Sequence, residues 1–539
     1  MKLRTLIFLL IGLSTCWVFA QKTHIYIDHS DKLLFNESKW PDCQILVGNV
    51  QFRHENMLMY CDSAYFYNLK NYIIATGNIK MNQADSVYVY GDILYYDGNT
   101  KLARLRHNVR MENNEATLYT DSLNFDRKIN MGYYFNGGRI VDSTNVLVSV
   151  NGKYYPNKDL AIFQNQVVLT NPDFVLTSDT LHYNTNSDIA TILGPSDIMY
   201  QDSTHIYSEK GWYNTKSNLS ELTTNSYLND FDGHYIKADT LYYDYNKRLA
   251  EGFSHVLMHD SAQHVIITGN YGWYNDSCRS ALVTQIPTLL NYNQENTDTL
   301  YVTADTMLYA DNDSLHYIKA YYNVQSWHKD FQSLCDSAYY SSADSTLRMY
   351  GAPIMWNDDN QFTGLEIYIH MVKQEIDHIT LEQNGFIFSL EDSTLYNQVS
   401  GKQIIGYFAD QKLYKAHVMG NALSVYFVKE DEEPADSAYI DTKEEKEYIG
   451  INRAESSDLM IYFSDDNRIK RLVMSPASNG VLHTPEKRYQ TDITRLNGFY
   501  NYSAIRPKDA ADIHTPKNKE ALKAAQAAVK ARKRRKALN

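Results

Sequence analysis

The stretch Cys61-Asp62-Ser63-Ala64-Tyr65-Phe66-Tyr67 decides the fold, because it keeps coming back. It recurs as Thr120-Asp121-Ser122-Leu123-Asn124-Phe125-Asp126, Ser178-Asp179-Thr180-Leu181-His182-Tyr183-Asn184 and Ala238-Asp239-Thr240-Leu241-Tyr242-Tyr243-Asp244. Ala304-Asp305-Thr306-Met307-Leu308-Tyr309 and Cys335-Asp336-Ser337-Ala338-Tyr339-Tyr340 are later copies. Gly91-Asp92-Ile93-Leu94-Tyr95-Tyr96, Gly211-Trp212-Tyr213 and Gly272-Trp273-Tyr274 are looser ones. Anchors at 62, 92, 121, 179, 209, 239, 270, 305 and 336 keep a period near thirty, the 121-to-179 gap spanning two units. Self-similarity at such a period marks stacked repeats.

About 15 residues after each Asp comes a second signal. It reads Gly77-Asn78-Ile79, His107-Asn108-Val109, Gln164-Asn165-Gln166-Val167, Gly351-Ala352-Pro353-Ile354 or Gly420-Asn421-Ala422, with Gly48-Asn49-Val50 as the first. Turn formers such as Asn68-Leu69-Lys70-Asn71 and Asp97-Gly98-Asn99-Thr100 lie between. Each unit is therefore read as two strands of roughly ten residues, the Gly-Asn step opening one of them. The Asp is read as a turn or strand-start residue. One Asp in the same slot of every repeat is structural, since an enzyme gathers its carboxylates in one place.

Counted from the Asp, the +2 and +4 positions are apolar or aromatic: Ala64/Phe66, Leu94/Tyr96, Leu123/Phe125, Leu181/Tyr183, Leu241/Tyr243 and Met307/Tyr309. Side chains alternate across a strand, so these share one face and form a continuous stripe. That face must be buried in a sandwich, a β-helix, a V or a jelly roll. The expected class is all-β: an elongated, twisted β-jelly-roll or V-shaped solenoid of two-strand repeats, with a basic C-terminal tail. The stripe has two readings, as a packed core or as the lining of a groove. A groove of this kind suits acyl chains, because apolar burial is non-directional.

Composition narrows the function. The chain has 539 residues, with 45 Tyr against 19 Phe, and Tyr suits half-buried pleated surfaces. The net charge of −13 argues against nucleic acid as partner. From Thr515 onward there are nine Lys/Arg and one Glu, densest at Lys530, Arg532, Lys533, Arg534, Arg535 and Lys536. A solvated, partly helical or disordered tail is the plain reading; contact with lipid phosphates at a membrane surface is the sharper one. Residues 429–446 are acidic and read as an exposed loop inserted in the stack.

The N-terminus reads as a signal peptide, with Lys2 and Arg4 before an apolar run at 6–13 and Val18-Phe19-Ala20 before the cut. Lipoprotein processing at Cys16 is the rival. Export puts Cys43, Cys61, Cys278 and Cys335 where disulfides are permitted. The plainer reading makes Cys61 and Cys335 small strand residues in equivalent slots. The expected layout is 1–20 signal peptide, 21–500 β-stack, whole or in two halves, and 501–539 tail. No HExxH, CxxC, GxSxG, P-loop or calcium β-roll run occurs, so no catalytic residue, metal or cofactor is expected.

The signal peptide, the Gly-Asn-Val/Ile step and the recurring Asp-Ser/Thr-Leu/Ala-x-Tyr/Phe strand resemble the OstA-like family, which includes LptA, over about residues 44 to 465. The resemblance implies a twisted β-jelly-roll and a non-enzymatic periplasmic protein, possible association with the outer membrane included. Its role would be lipopolysaccharide transport from inner to outer membrane, with acyl chains inside the groove. It also implies joining to other transport proteins through sheet edges. The chain departs from small LptA proteins in its length and basic tail. The alternatives are a carbohydrate-binding or a structural envelope β-solenoid. The former would need outward aromatics and a carboxylate cluster, neither of which the sequence displays.

Overall fold

The computed structural model describes residues 23–515, except 84–86, 113–115, 201–203, 231–232, 294–297, 313–314, 374, 393, 430–447, 465–468 and 477. The signal-peptide reading of 1–20, all but the first residue of the acidic insertion, and the basic cluster from Lys530 to Lys536 fall outside the described residues. The chain divides into two compact units, Met1–Leu222 and Thr223–Asn539. Both are built almost wholly of antiparallel strands.

In the first unit the strands Cys43–His54, Met57–Tyr67, Tyr72–Gln83, Val87–Asp97, Leu102–Glu112 and Thr117–Asp126 pair in succession. Each repeat is thus two strands, as its period implies. The turns use the expected chemistry: the Asp97 carboxylate accepts the backbone N–H groups of Asn99 (2.8 Å) and Thr100 (3.1 Å).

The Gly-Asn step and the Asp lie elsewhere than the sequence suggested. In the first unit both sit mid-strand, at a bend, whereas Asp239 and Asp305 of the second unit do stand just before strands, Thr240–Asp244 and Thr306–Asn312. Val47 pairs with Ser63 and Val50 with Cys61, so Gly48-Asn49 together face Asp62 alone. This is a two-to-one β-bulge. Gly77-Asn78 face Asp92, His107-Asn108 face Asp121, and Asn165-Gln166 face Asp179 in the same way. Every one of these paired residues has φ above +40°, from Gly48 (+82°) and Asn49 (+44°) onward. Gly and Asn tolerate that region best, which is why they recur there. On its other side each Asp holds the next bulge: Asp62 accepts the Asn78 amide at 2.8 Å and Asp92 that of Asn108 at 2.7 Å.

The bend folds each strand back on itself. Phe66 pairs with Gln44, and Phe52 lies eight residues further along the same strand, roughly 26 Å away if the strand were straight. Yet the Phe52 and Phe66 rings stand 5.9 Å apart. Two arms therefore face each other and share one core. The bulge also resets the alternation. Met57, Met59 and Cys61 point inward before Asp62, and Ala64 and Phe66 after it.

The second unit repeats the device. Ser254-His255 face Asn270, Tyr322-Asn323 face Asp336, and Gly420-Asn421 face Ser457. His255 and Asn323 reach back to Asp239 (2.8 Å) and Asp305 (2.6 Å). After the last strand, Asn479–His483, residues 484–515 lie as a strap of short helical turns across this unit, burying Leu496 and Ile513.

A Cβ at Gly77 would stand 2.4 Å from the Asp62 carboxylate, at a φ of +80°. Gly77→Ala is expected to destabilise the first unit by about 1–2 kcal/mol from backbone strain, with the clash added. Asn78→Gly should cost less, because it loses only an exposed hydrogen bond. Urea denaturation of the three proteins checks the order.

Candidate functional site

The apolar interior between the arms and the mouth where they meet form the candidate site. Of the twelve +2/+4 positions, Ala64, Phe66, Leu94, Tyr96, Leu123, Phe125, Leu181, Leu241, Tyr243, Met307 and Tyr309 are at most 6% exposed. Tyr183 is half-buried, its hydroxyl donating to Asp188 at 3.3 Å. Ala64, Phe66, Leu94, Tyr96, Leu123 and Phe125 meet in one cluster of the first unit. The opposite wall is made by Phe52, Met57, Met59, Ile79, Met81, Val89 and Met111, which the sequence reading passed over. Met57, Met59 and Val89 sit at odd positions before an Asp, masked by the change of phase there, whereas Phe52, Ile79, Met81 and Met111 follow a Gly-Asn-type step and keep their strand's parity.

At the mouth the +4 tyrosines reach across. Arg127 donates to the Tyr96 hydroxyl (2.9 Å), which bonds His54 Nδ1 at 2.5 Å. His54 Nε2 contacts Thr23 Oγ1 (2.7 Å), and that hydroxyl donates to Glu55 (3.1 Å). Lys101 and Arg127 close the chain on the Glu55 carboxylate at 2.6 and 3.4 Å. With Arg127 donating, the Tyr96 proton goes to Nδ1, which makes His54 the neutral Nε2–H tautomer. Burial and then the Arg127 cation hold the His54 pKa down, and burial pushes the Tyr96 hydroxyl up to about 12. The second unit has its own version. Tyr309 donates to the buried Asp260 carboxylate at 2.5 Å, and His234 contacts Asp230 (2.8 Å) and the Tyr274 hydroxyl (3.3 Å). Burial first, and then the Asp260 bond, raise the Tyr309 pKa.

His234, Asp260 and Asp311, and separately Asp298, His328 and Asp330, bring ligand-type atoms within 4.8 Å of one another. Tyr309 and Asp230 already bond Asp260 and His234, so the first group is the mouth clamp itself. Cys43, Cys61 and Cys335 are buried free thiols and Cys278 is exposed. Burial pushes the Cys61 thiol up to about 12. The outer face does carry aromatics, contrary to the sequence reading. Tyr60, Lys80, Tyr90, Arg110, Tyr119 and Arg139 are successive cross-strand neighbours, and the Arg110 guanidinium lies 4.5 Å from the Tyr90 ring centre. Such pairs stabilise a sheet surface.

The family resemblance read from the sequence motifs is borne out by comparison over part of the first unit. Residues 22–179 match the family model described as OstA-like protein. The matched segment runs from before the first strand to the Asp179 bulge, under a third of the chain. No curated protein matches the chain. The OstA-like family is associated with lipopolysaccharide and organic-solvent transport in the periplasm and is generally non-enzymatic.

His54 is neutral when folded and its pKa is below the ordinary value near 6.5. Its contribution is therefore complete above that pH and is lost as pH falls below it, towards the folded-state pKa. Melting temperature should drop between pH 7 and 5, and His54→Gln should flatten that part of the profile. Tyr96→Phe leaves buried His54 without its donor and is expected to cost about 1–3 kcal/mol.

Proposed function

We propose that this protein is a non-enzymatic carrier of lipopolysaccharide between inner and outer membrane, holding acyl chains between the two arms. The observation that carries the reading is an apolar interior closed at its mouth by a handful of polar contacts rather than by apolar packing. Parting the arms exchanges arm–arm contacts for arm–lipid contacts, which changes the apolar burial of the protein little. Each acyl methylene taken from water adds about 0.8 kcal/mol. Ten of them contribute about 8 kcal/mol, more than the roughly 1 kcal/mol net for each hydrogen bond given up at the mouth. The OstA-like match supports the substrate class and the periplasmic setting.

Partner proteins of the same pathway would join by strand addition. Tyr26–His29 and Lys32–Phe35, paired with the two halves of Cys43–His54, form one edge. Leu33, Leu34 and Phe35 are more than half exposed there. Ile469–Ser475 and Asn479–His483, paired with Tyr448–Phe463, form the edge of the second unit. The basic tail would approach the anionic membrane surface.

A photo-crosslinking residue at inward Leu181 or Tyr243, and at Thr180 or Tyr242 beside them, tests this in cells. Lipopolysaccharide adducts at the inward pair alone are expected. A well-folded protein giving none at the inward sites would refute lipid carriage.

A further inference from the structure

The strap at 484–515 is held with unusual definition. The Gln398 side-chain amide donates to the Thr494 carbonyl (2.7 Å), and its oxygen accepts the Leu496 N–H (2.9 Å). Gln361 treats the next stretch identically, donating to the Tyr500 carbonyl (3.0 Å) and accepting from the Tyr502 N–H (2.8 Å). Between the two anchors the Phe499 ring sits 5.0 Å from that of Phe388 and 5.1 Å from that of Tyr396. Residues 497–499 are thereby fixed as a wall, and a preorganised wall lowers the entropy cost of binding.

Between this wall and the bulge row of the second unit lies a groove of about 900 Å³. It is too large for an ion and of the size that takes an organic ligand of several rings. The bulges put their side chains into it: Gln383 (φ +54°), Asn384 (φ +69°) and Asn421 (φ +54°) all line it. Primary amides offer a donor and an acceptor side by side, the arrangement that vicinal hydroxyls answer. Tyr500 and Tyr502, with ring centres 4.4 Å apart, supply an aromatic platform for the C–H face of a sugar ring. Lys402 also lines the groove and has no ion pair among the described residues. Glu382 is engaged by the Gln403 amide. It is the one carboxylate among the lining residues, whereas glycosidic cleavage needs two. The amides and Lys402 stand beside apolar lining from Pro353, Ile354, Leu365 and Phe386, a mixed surface of the kind a sugar's polar edge and C–H face require.

We propose that this groove binds, without cleaving, an oligosaccharide that carries an acidic substituent for Lys402. The assignment stands on the second unit alone and does not depend on acyl chains entering between the arms. Calorimetry on the full-length protein tests it with three soluble probes: oligogalacturonate, maltohexaose and delipidated, phosphorylated lipopolysaccharide oligosaccharide. An acidic probe should bind more tightly than maltohexaose; the stronger of the two tells a uronate-type glycan from a glycolipid core. Tyr500→Ala keeps the backbone bonds to Gln361, and Asn384→Gly keeps the positive φ. Each should weaken binding about tenfold, the size of one lost contact. Lys402→Gln should abolish the preference for acid while leaving the melting temperature unchanged. Absence of binding by all three probes, equal binding of the neutral one, or unaltered affinity in the variants would overturn the proposal.

Discussion

Everything in this molecule hangs on two left-handed residues facing one. Gly48-Asn49 against Asp62, and its successors along the chain, bend each strand at its middle. Without the bend, an arm of five residues would continue straight, and Phe52 would never meet Phe66. The bend is maintained from both sides. The two-to-one count imposes it, and the Asp carboxylate fastens it to the next repeat through Asn78, Asn108 or Asn323. Each bond is exposed and individually small, but a stack distributes the constraint over many repeats, each leaning on its neighbours.

From that constraint follow the interior and its mouth. Because the bulge shifts the alternation by one, both arms turn apolar side chains inward although their sequence parities differ. The arm ends then come together far from the bend, where Tyr suits the boundary: its ring packs with the core and its hydroxyl reaches His54 or Asp260. The abundance of Tyr over Phe thus has a geometric reason.

The sequence displayed the period, the two-strand unit and the +2/+4 stripe, since these depend on alternation within single strands. It misplaced the Gly-Asn step because Gly and Asn serve hairpin turns and bulges alike; only the partner strand's register tells them apart. Met57, Met59 and Val89 of the second wall were hidden by the same bulge, which changes the phase of the strands that carry the Asp. The clamp joins His54 to Tyr96, 42 positions on, and Tyr96 to Arg127, a further 31 on, and no local pattern announces it. The strap has neither period, and its place is set by Gln361 and Gln398, which read as ordinary strand residues.

The central claim is that acyl chains enter where the arms part. Its most direct test is to tie the mouth shut in the first unit, with cysteines replacing Glu55 and Arg127 joined by a short bismaleimide and the native cysteines changed to serine. Binding of fluorescent lipopolysaccharide to the tied protein would be compared with that of the same protein carrying monofunctional maleimides. Loss of binding on tying, with the fold intact, is the expected result. Equal binding by tied and untied protein would contradict the account.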